Sequence, residues 1–448
     1  MTESRLRVPH PLVLLTGCVI LAAAASYVLP AGEFDRREDD AGRTVVVAGT
    51  YHDVEPAPVD LFEAIVALPM GMADAAGVIF LVFLIGGAFT VVDETGALRR
   101  AIGSMTDALE GRDLVMIPIV SLFFGLGGIV QNMQEEIIPL IPVVLILTAR
   151  LGFTPVVAVA MSAGAAFVGS AFSPVNPFQV VIAQGVAEVP LVSGWEFRLF
   201  FLTLALGMWI WMTMRHADRT RTAPSQPSGA FVEAITPVDK LVLLMVGATF
   251  ALMVVGLLQW DWGFDHMSAA FFIMGVIVGL VSKMGLAGTA EAYVKGFREM
   301  AYAALLIGFA RAIYVVLDQG RIVDTIVYGM FTPLEDLPRL ASALGMVVAQ
   351  AAIHVPIPSV SSQAVLTMPV LVPLSDLLGL ERQITILAYQ FGAGMCDLVT
   401  PTNGALMAML AAAGVRYEQW IKFCFPLYLA LVGLGAVSIA IGIAIGLR

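Results

Sequence analysis

Two five-residue stretches decide the fold: S-P-V-N-P at 173–177 and T-P-T-N-G at 400–404. Each interrupts an apolar run that would otherwise form one membrane-spanning helix. Ser173, Pro174 and Asn176 hold the same relative places as Thr400, Pro401 and Asn403, 227 residues later. Proline removes a backbone donor and clashes with the preceding turn, so each run must break. At membrane depth a break frees N–H and C=O groups that lipid cannot satisfy. Such backbone is tolerated only where protein or a water-filled cavity covers it.

The same offset recurs around the breaks. I-P-V-V-L-I-L at 141–147 lies 227 positions before M-P-V-L-V-P-L at 368–374, and L-G-F at 151–153 before L-G-L at 378–380. Gln134, Glu135 and Glu136 fall on Ser361, Ser362 and Gln363. Earlier, V-V-D-E-T-G ending at Gly96 matches V-V-L-D-Q-G ending at Gly320, at an offset of 224. The chain therefore reads as a duplicated unit.

Composition sets the solvent. Of 448 residues, 59% are hydrophobic and 13% charged, and the mean hydropathy is +0.88. A soluble protein carries roughly twice that charge. Many windows of about 18 residues are nearly charge-free, which marks an all-α polytopic membrane protein. The net charge of −11 argues against nucleic acid or an anionic lipid surface as a partner. Cys18, Cys396 and Cys424 lie in apolar runs and share no metal-ligand spacing. Arg5 and Arg7 before an apolar run, with L-T-G-C at 15–18, resemble a signal segment. The run continues to Leu29, however, so an uncleaved first helix is expected.

The expected order follows. Residues 1–214 form the first repeat, with a span at 12–30, a polar segment at 31–60 with a short hairpin at 43–51, and a span at 72–92. A re-entrant hairpin at 114–150 follows, with tip Q-N-M-Q-E-E at 131–136. A broken helix at 154–186 and a span at 198–214 complete the repeat. A polar linker occupies 215–237. Residues 238–448 hold spans at 239–258, 267–282 and 299–317. They continue with a second hairpin at 340–376 whose tip is P-I-P-S-V-S-S-Q at 356–363, a broken helix at 384–413 and a span at 421–446.

Charge orients this arrangement. With the N-terminus inside, Arg36, Arg37, Arg43, Arg198, Arg321, Arg339, Arg382 and Arg448 lie outside and Arg311 lies buried mid-span. The remaining 15 of the 24 basic residues, every lysine included, lie inside. The count gives nine full spans, two hairpins and halves inverted relative to one another.

Inverted repeats with interrupted helices point to the binding site of a secondary transporter. Half-helix N-termini favour anions and free carbonyls favour cations. Ser173, Asn176, Thr400, Thr402 and Asn403 add neutral oxygens suited to Na⁺, although a proline kink held by local hydroxyls would look similar. Glu135 and Glu136 sit at membrane depth, where a carboxylate costs about 2.5–3.5 kcal/mol. They could ligate Na⁺, carry a proton or face a cationic substrate, or one could simply cap the second arm. Asp397 could join this cluster or cap its half-helix. Ser359, Ser361, Ser362 and Gln363 supply the second tip. Arg311 reads as half of a structural ion pair, and His354 as a hydrogen-bonded packing residue. Gly125, Gly127 and Gly128 suit close helix packing. Charge recognition or coupling is expected mainly at the first break, where the glutamates lie.

P-A-G-E-F-D-R at 30–36, G-T-Y at 49–51, E-E-I-I-P at the first tip, N-P-F at 176–178 and S-S-Q-A-V-L-T-M-P at 361–369 resemble the YfcC-like transporters. These are grouped with DcuC-type C4-dicarboxylate carriers and ArcD-like basic amino acid antiporters. More distantly they resemble AbgT-type and divalent-anion/sodium symporters. The resemblance spans nearly the whole chain. It implies a scaffold domain, a mobile domain of hairpins and broken helices, an elevator motion and a homodimer. By position it implies a cation site where Asn132 and Glu135 meet Ser173 and Asn176. A mirror site would use Ser361, Ser362, Thr400 and Asn403. The Ser-Asn-Thr hairpin signature of the divalent-anion symporters is absent.

The expectation is a Na⁺- or H⁺-coupled secondary transporter, with no other cofactor, in a bacterial inner membrane. Its substrate would be a small carboxylate-bearing metabolite, an amino acid or C4-dicarboxylate, with basic amino acid exchange as the alternative. An ion channel fits paired breaks less well. No H-E-x-x-H or G-x-S-x-G motif supports an enzyme.

Overall fold

The computed structural model describes residues 10–447, apart from 39–43, 48, 99, 102–103, 105–112, 223–234, 261 and 335–336. Arg5, Arg7, Arg43, Arg99, Arg112, Arg448 and most of the expected linker lie outside the described residues. The first half contains α1 (Pro11–Ala25), α2 (Leu61–Asp74) and α3 (Ala76–Glu94), then α4 (Met116–Gln131) and α5 (Ile141–Leu151). It ends with α6 (Pro155–Ala171), α7 (177–186) and α8 (Trp195–Thr220). The second half contains α9 (Pro237–Gln259), α10 (Phe264–Val281), α11 (Gly285–Gln319), α12 (Val323–Phe331), α13 (Arg339–His354) and α14 (Val360–Leu377). It closes with α15 (Arg382–Cys396), α16 (Gly404–Ala412) and α17 (Tyr417–Ile445).

Seven helices among the described residues are long and apolar enough to cross a membrane. The chain is a helical, multi-pass membrane protein with two short strand pairs. Two of the seven, Asp113–Val130 and Val360–Leu377, are arms that the sequence assigns to hairpins. Both expected interruptions appear as breaks in the helix. The chain leaves helix between α6 and α7 across S-P-V-N-P, and between α15 and α16 across T-P-T-N-G. Helix α6 also contains a π-turn at Ala160–Gly164.

Four features differ from the sequence expectation. The second span starts earlier, as α2, because Asp60 and Glu63 form a reciprocal capping box on an apolar segment. Glu63 and Pro69 interrupt the hydropathy of that segment. Its end at Asp74 precedes a sharp hand-over through Ala75 to α3. The span expected at 299–317 is the last part of a 35-residue helix, α11, whose first turns carry Glu291, Lys295, Arg298 and Glu299. Helix α8 continues to Thr220, so 215–220 is helix rather than linker. Helix α12 is too short and too polar at its start for a hydropathy window to find.

The hairpin expected at 43–51 is replaced, among the described residues, by pairing of Thr44–Val46 with the earlier Arg36–Glu38, and helix α12 anchors this segment. Arg36–Glu38 pairs antiparallel with Thr44–Val46, and Gly32–Glu33 with His52–Asp53. Asp324 on α12, buried, accepts from the Phe34 amide at 2.8 Å and from Arg36 at 2.9 Å. Tyr51 stacks on Tyr328 with centroids 4.2 Å apart. Asp324→Ala leaves the Phe34 N–H buried and unpaired. It is expected to cost about 1–3 kcal/mol, read as a lower thermal midpoint and faster amide exchange at Phe34.

Packing divides into two neighbourhoods. Helix α11 lies against α1, α2, α3 and α10, while α15 lies against α6, α13, α14 and α17. They meet where α16 packs on α11, and where the 3₁₀ turn Glu135–Leu140 packs on α3 and α16. Helix α4 is held against α6 by missing side chains. A Cβ on Gly128 would sit 2.0 Å from the Ala166 carbonyl oxygen, and one on Gly169 2.4 Å from that of Gly125.

Candidate functional site

The first tip forms where α4 ends. Asn132 is its C-cap in the left-handed region, φ 54°, a conformation asparagine tolerates better than most residues. Its Oδ1 accepts from Ser170 Oγ and from Gln179 Nε2 at 3.2 Å. Asn176 caps α7, its Oδ1 taking the amides of Phe178 and Gln179 at 2.9 and 3.1 Å. Its Nδ2 donates to the Gly128 carbonyl at 2.9 Å. Ser173 Oγ donates to the Ile129 carbonyl at 2.7 Å and accepts from the Asn176 amide at 2.9 Å. The first break is thus sewn to α4 by its own polar side chains. Its freed carbonyl at Ser173 takes Gln390 Nε2 at 2.7 Å, and Arg198 donates to Gln390 Oε1 at 3.2 Å. Arg198, which the charge count places outside, is buried in α8.

The second break is closed in the same way by α17. Trp420 Nε1 donates to the Leu398 carbonyl at 2.7 Å, and Tyr417 Oη to that of Val399. Thr402 Oγ1 donates to the Val355 carbonyl at the second tip. Ser359 caps α14 and donates to Ser362 Oγ at 3.0 Å. Asn403 caps α16 through the Leu406 amide at 2.8 Å.

Asp397 is the centre of the arrangement. It is 2% exposed. Its Oδ1 meets Asn403 Nδ2 at 2.6 Å and His354 Nε2 at 2.9 Å, and its Oδ2 meets Gln134 Nε2 at 2.8 Å. One carboxylate therefore ties together the first tip, the last residue of α13 and the second break.

A cavity of about 600 Å³ opens beside it, within the roughly 300–1,000 Å³ of small-molecule sites. Of the residues expected to bind substrate, it brings together Asn132, Glu135, Glu136, Ser359, Ser361, Asp397 and Asn403. Ser173, Asn176, Ser362, Gln363, Thr400 and Thr402 are not among its lining residues. The wall also includes Asp74, Gln134, Trp262, Phe264, Arg311 and Tyr314. Arg311 is not buried, as the sequence implies, but 36% exposed, paired with Asp74 and 4.8 Å over the Tyr314 ring. Glu136 Oε2 accepts from the Gln134 amide at 3.2 Å and so shapes the tip, while Glu135 is half-buried. Helix α16 presents its N-terminus, at Asn403 and Gly404, to the same space.

Sequence reasoning missed Asp74 and Gln134. An aspartate closing an apolar segment, immediately before a helix restarts, is a signal that could have found the first. Among the described residues no group of three or more His, Cys, Asp or Glu side chains is arranged to hold a metal ion. At the first break, Gln179 Oε1 is buried and takes no donor.

The C4-dicarboxylate anaerobic carrier family matches residues 8–444. The chain belongs to the DcuC family. Within this DcuC family it is YfcC-like. It is 30% identical over 478 aligned residues to an Escherichia coli protein named "Putative basic amino acid antiporter YfcC", covering 94% of each chain. An uncharacterized Haemophilus influenzae protein is 26% identical, over 90% of this chain and 82% of that one. Among solved structures, the chain aligns with the Alcanivorax borkumensis YdaH transporter at TM-score 0.47 and 19% identity, covering 98% of this chain and 99% of that one. For Neisseria gonorrhoeae MtrF, an antimetabolite efflux pump, the values are 0.45, 16%, 98% and 96%. Both scores are too low to carry a shared fold.

Proposed function

We propose that this DcuC-family chain is an ion-coupled secondary active transporter of a small amino acid-like metabolite bearing both a carboxylate and a cationic amine. The observation that carries the reading is the charge of the cavity. Asp74, Glu135, Glu136 and Asp397 line it. Among the described lining residues, Arg311 is the one basic side chain, and Asp74 already pairs with it. Two or more carboxylates favour an ammonium or guanidinium group. The N-terminus of α16, with Arg311, favours a carboxylate. Exchange of a basic amino acid is the most direct form of this function, consistent with the name of the Escherichia coli relative. A C4-dicarboxylate, as the family description has it, would bring two carboxylates to a wall whose one described basic side chain, Arg311, is already paired with Asp74.

The proposed setting is a bacterial inner membrane with the N-terminus cytoplasmic. The two halves are inverted, Na⁺ or H⁺ drives transport, and the chain works as a homodimer. An elevator motion would carry the tips and broken helices past α1–α3 and α9–α11. The division of packing around α11 and α15, with the cavity lined by α11, both tips and the start of α16, supports that motion.

The test is uptake into proteoliposomes under imposed Na⁺ or H⁺ gradients, against arginine, ornithine, lysine, aspartate and succinate. Accumulation or exchange of the basic amino acids is expected. A chain that moves succinate and ignores every amine refutes the reading. Glu135→Gln removes a charge from the cavity wall without shortening the side chain. Its apparent KM for arginine is expected to rise about tenfold, equivalent to about 1.4 kcal/mol, with the thermal midpoint unchanged.

A further inference from the structure

A second cavity, of about 810 Å³, lies away from the broken helices, between the end of α8, the start of α17 and the start of α6. Two matched helix faces build it. Met212, His216 and Arg219 recur at i, i+4 and i+7 along α8, and Gln419, Phe423 and Pro426 do the same along α17. Residues at that spacing share one side of a helix. The helices run antiparallel. His216 meets Phe423 with ring centroids 4.7 Å apart, whereas a Cβ on Gly442 would lie 3.7 Å from Phe197. Arg215, Arg219 and Lys422 therefore gather at one end of the cavity, and Met212, Pro426 and Leu427 lie towards the other.

The polar end sits at headgroup depth. From Met212 to Arg219 the helix rises about 10 Å. The Arg215 guanidinium lies 5.5 Å over the ring of Trp211, which is exposed. Tryptophan collects where lipid tails give way to headgroups, and arginine one turn beyond reaches the phosphates.

The basic residues of this cavity are unmatched. Arg100 pairs with Asp239, Arg221 with Asp113 and Lys295 with Glu94. In this second cavity, by contrast, no acidic side chain is among the described lining residues. Arg219 and Lys422 have neither an ion pair nor a hydrogen bond among the described residues. Thr154 lines the same cavity, and its hydroxyl is buried without a hydrogen-bond partner there. A hydroxyl can donate to an anionic oxygen.

We propose that this cavity binds an anionic phospholipid, its phosphate against Arg215, Arg219 and Lys422 and the first part of its acyl chains against Met212, Pro426 and Leu427. Basic pockets between membrane helices take such headgroups. A free anion would leave the apolar wall wet, and a zwitterionic lipid would bring its own ammonium to three cations. The net charge of −11 opposes adsorption of the chain as a whole to an anionic surface. A headgroup inside the cavity responds instead to the charges within a Debye length, about 8 Å.

Occupancy reaches the second break. Tyr417 and Trp420, which hold the carbonyls of Val399 and Leu398, share the first turns of α17 with Gln419 and Lys422. A lipid bridging α8 and α17 fastens the helix that closes that break, so stability rises with the lipid. The proposal does not depend on which substrate the transporter carries.

The test titrates the purified full chain in detergent with phosphatidylglycerol, phosphatidylcholine or inorganic phosphate. Bound lipid is counted by native mass spectrometry, and the thermal midpoint is followed beside it. The wild type is expected to retain phosphatidylglycerol at least about tenfold better than phosphatidylcholine, and to gain thermal stability with phosphatidylglycerol alone. Arg219→Gln with Lys422→Gln is expected to lower the affinity for phosphatidylglycerol about tenfold. Lys240→Gln with Arg298→Gln makes the same charge change at exposed positions outside the cavity and is expected to leave that affinity unchanged. Equal retention of the two lipids by the wild type, which needs no variant, overturns the proposal. So does wild-type affinity for phosphatidylglycerol in the Arg219→Gln, Lys422→Gln protein. Inorganic phosphate that stabilises the wild type as well as the lipid does would make the ligand a free anion, and overturns it too.

Discussion

Asp397→Asn is expected to lower transport at least about a hundredfold, equivalent to about 2.7 kcal/mol, in a protein that still folds. Asparagine is nearly isosteric, and one arrangement of it satisfies the local hydrogen bonds. Its oxygen can accept from Asn403 Nδ2, and its NH₂ can face Gln134 after that amide turns over. Asn403 cannot turn over, because its oxygen caps α16 through the Leu406 amide at 2.8 Å. The network therefore survives without charge. Charge-assisted bonds at about 1.5–3 kcal/mol each become neutral ones at about half that, and the cavity loses an anion beside the ligand. Asp397→Ala, in contrast, leaves buried donors from two hairpins and a break without partners. It is expected to lower the thermal midpoint as well as transport. Folded, monodisperse Asp397→Asn with wild-type uptake would remove this carboxylate from the mechanism.

The breaks themselves are legible in the sequence because their causes are local. Pro174 and Pro401 delete donors, and Asn176 and Asn403 cap the helices that restart after them. Each cause lies within three residues of its effect. The wiring of Asp397 is not legible in that way. Its partner Gln134 lies 263 positions away, and whether an aspartate near a break caps, pairs or lines a cavity depends on what tertiary packing brings to it. His354 reads as a packing residue for the same reason. Nothing in H-V-P-I-P names Gln363 or Asp397 as its neighbours. Helix α2 escapes a hydropathy window because its start is fixed by the Asp60–Glu63 capping box rather than by apolar length. Asp74 escapes with it. The expectation that charge gathers at the first break captures Glu135 and Glu136. The carboxylate with the most partners, however, stands at the second.

Gly128→Val is expected to leave little monodisperse protein, and Gly128→Ala to cost about 1–3 kcal/mol, the usual penalty for overpacking. The reason is what a side chain would meet. The nearest atoms to a Cβ at Gly128 are the Ala166 carbonyl oxygen at 2.0 Å, its carbon at 2.7 Å and its Cα at 2.9 Å. All three are backbone, so no rotamer change makes room, and α4 must move away from α6. That movement would pull Asn176 Nδ2 from the Gly128 carbonyl at the same residue. It would also part Ser173 from Ile129, so the first tip would lose its register with the first break. Effects on fold and site are therefore linked at this position. Gly207 and Gly433 provide the control, since a Cβ on either meets nothing within 4 Å. Alanine there is expected to be neutral or to stabilise its helix by up to about 1 kcal/mol. Size-exclusion profiles and thermal midpoints of the three alanine variants check the contrast. A Gly128→Ala protein as stable as Gly207→Ala would mean that α4 and α6 do not approach as closely as this packing requires.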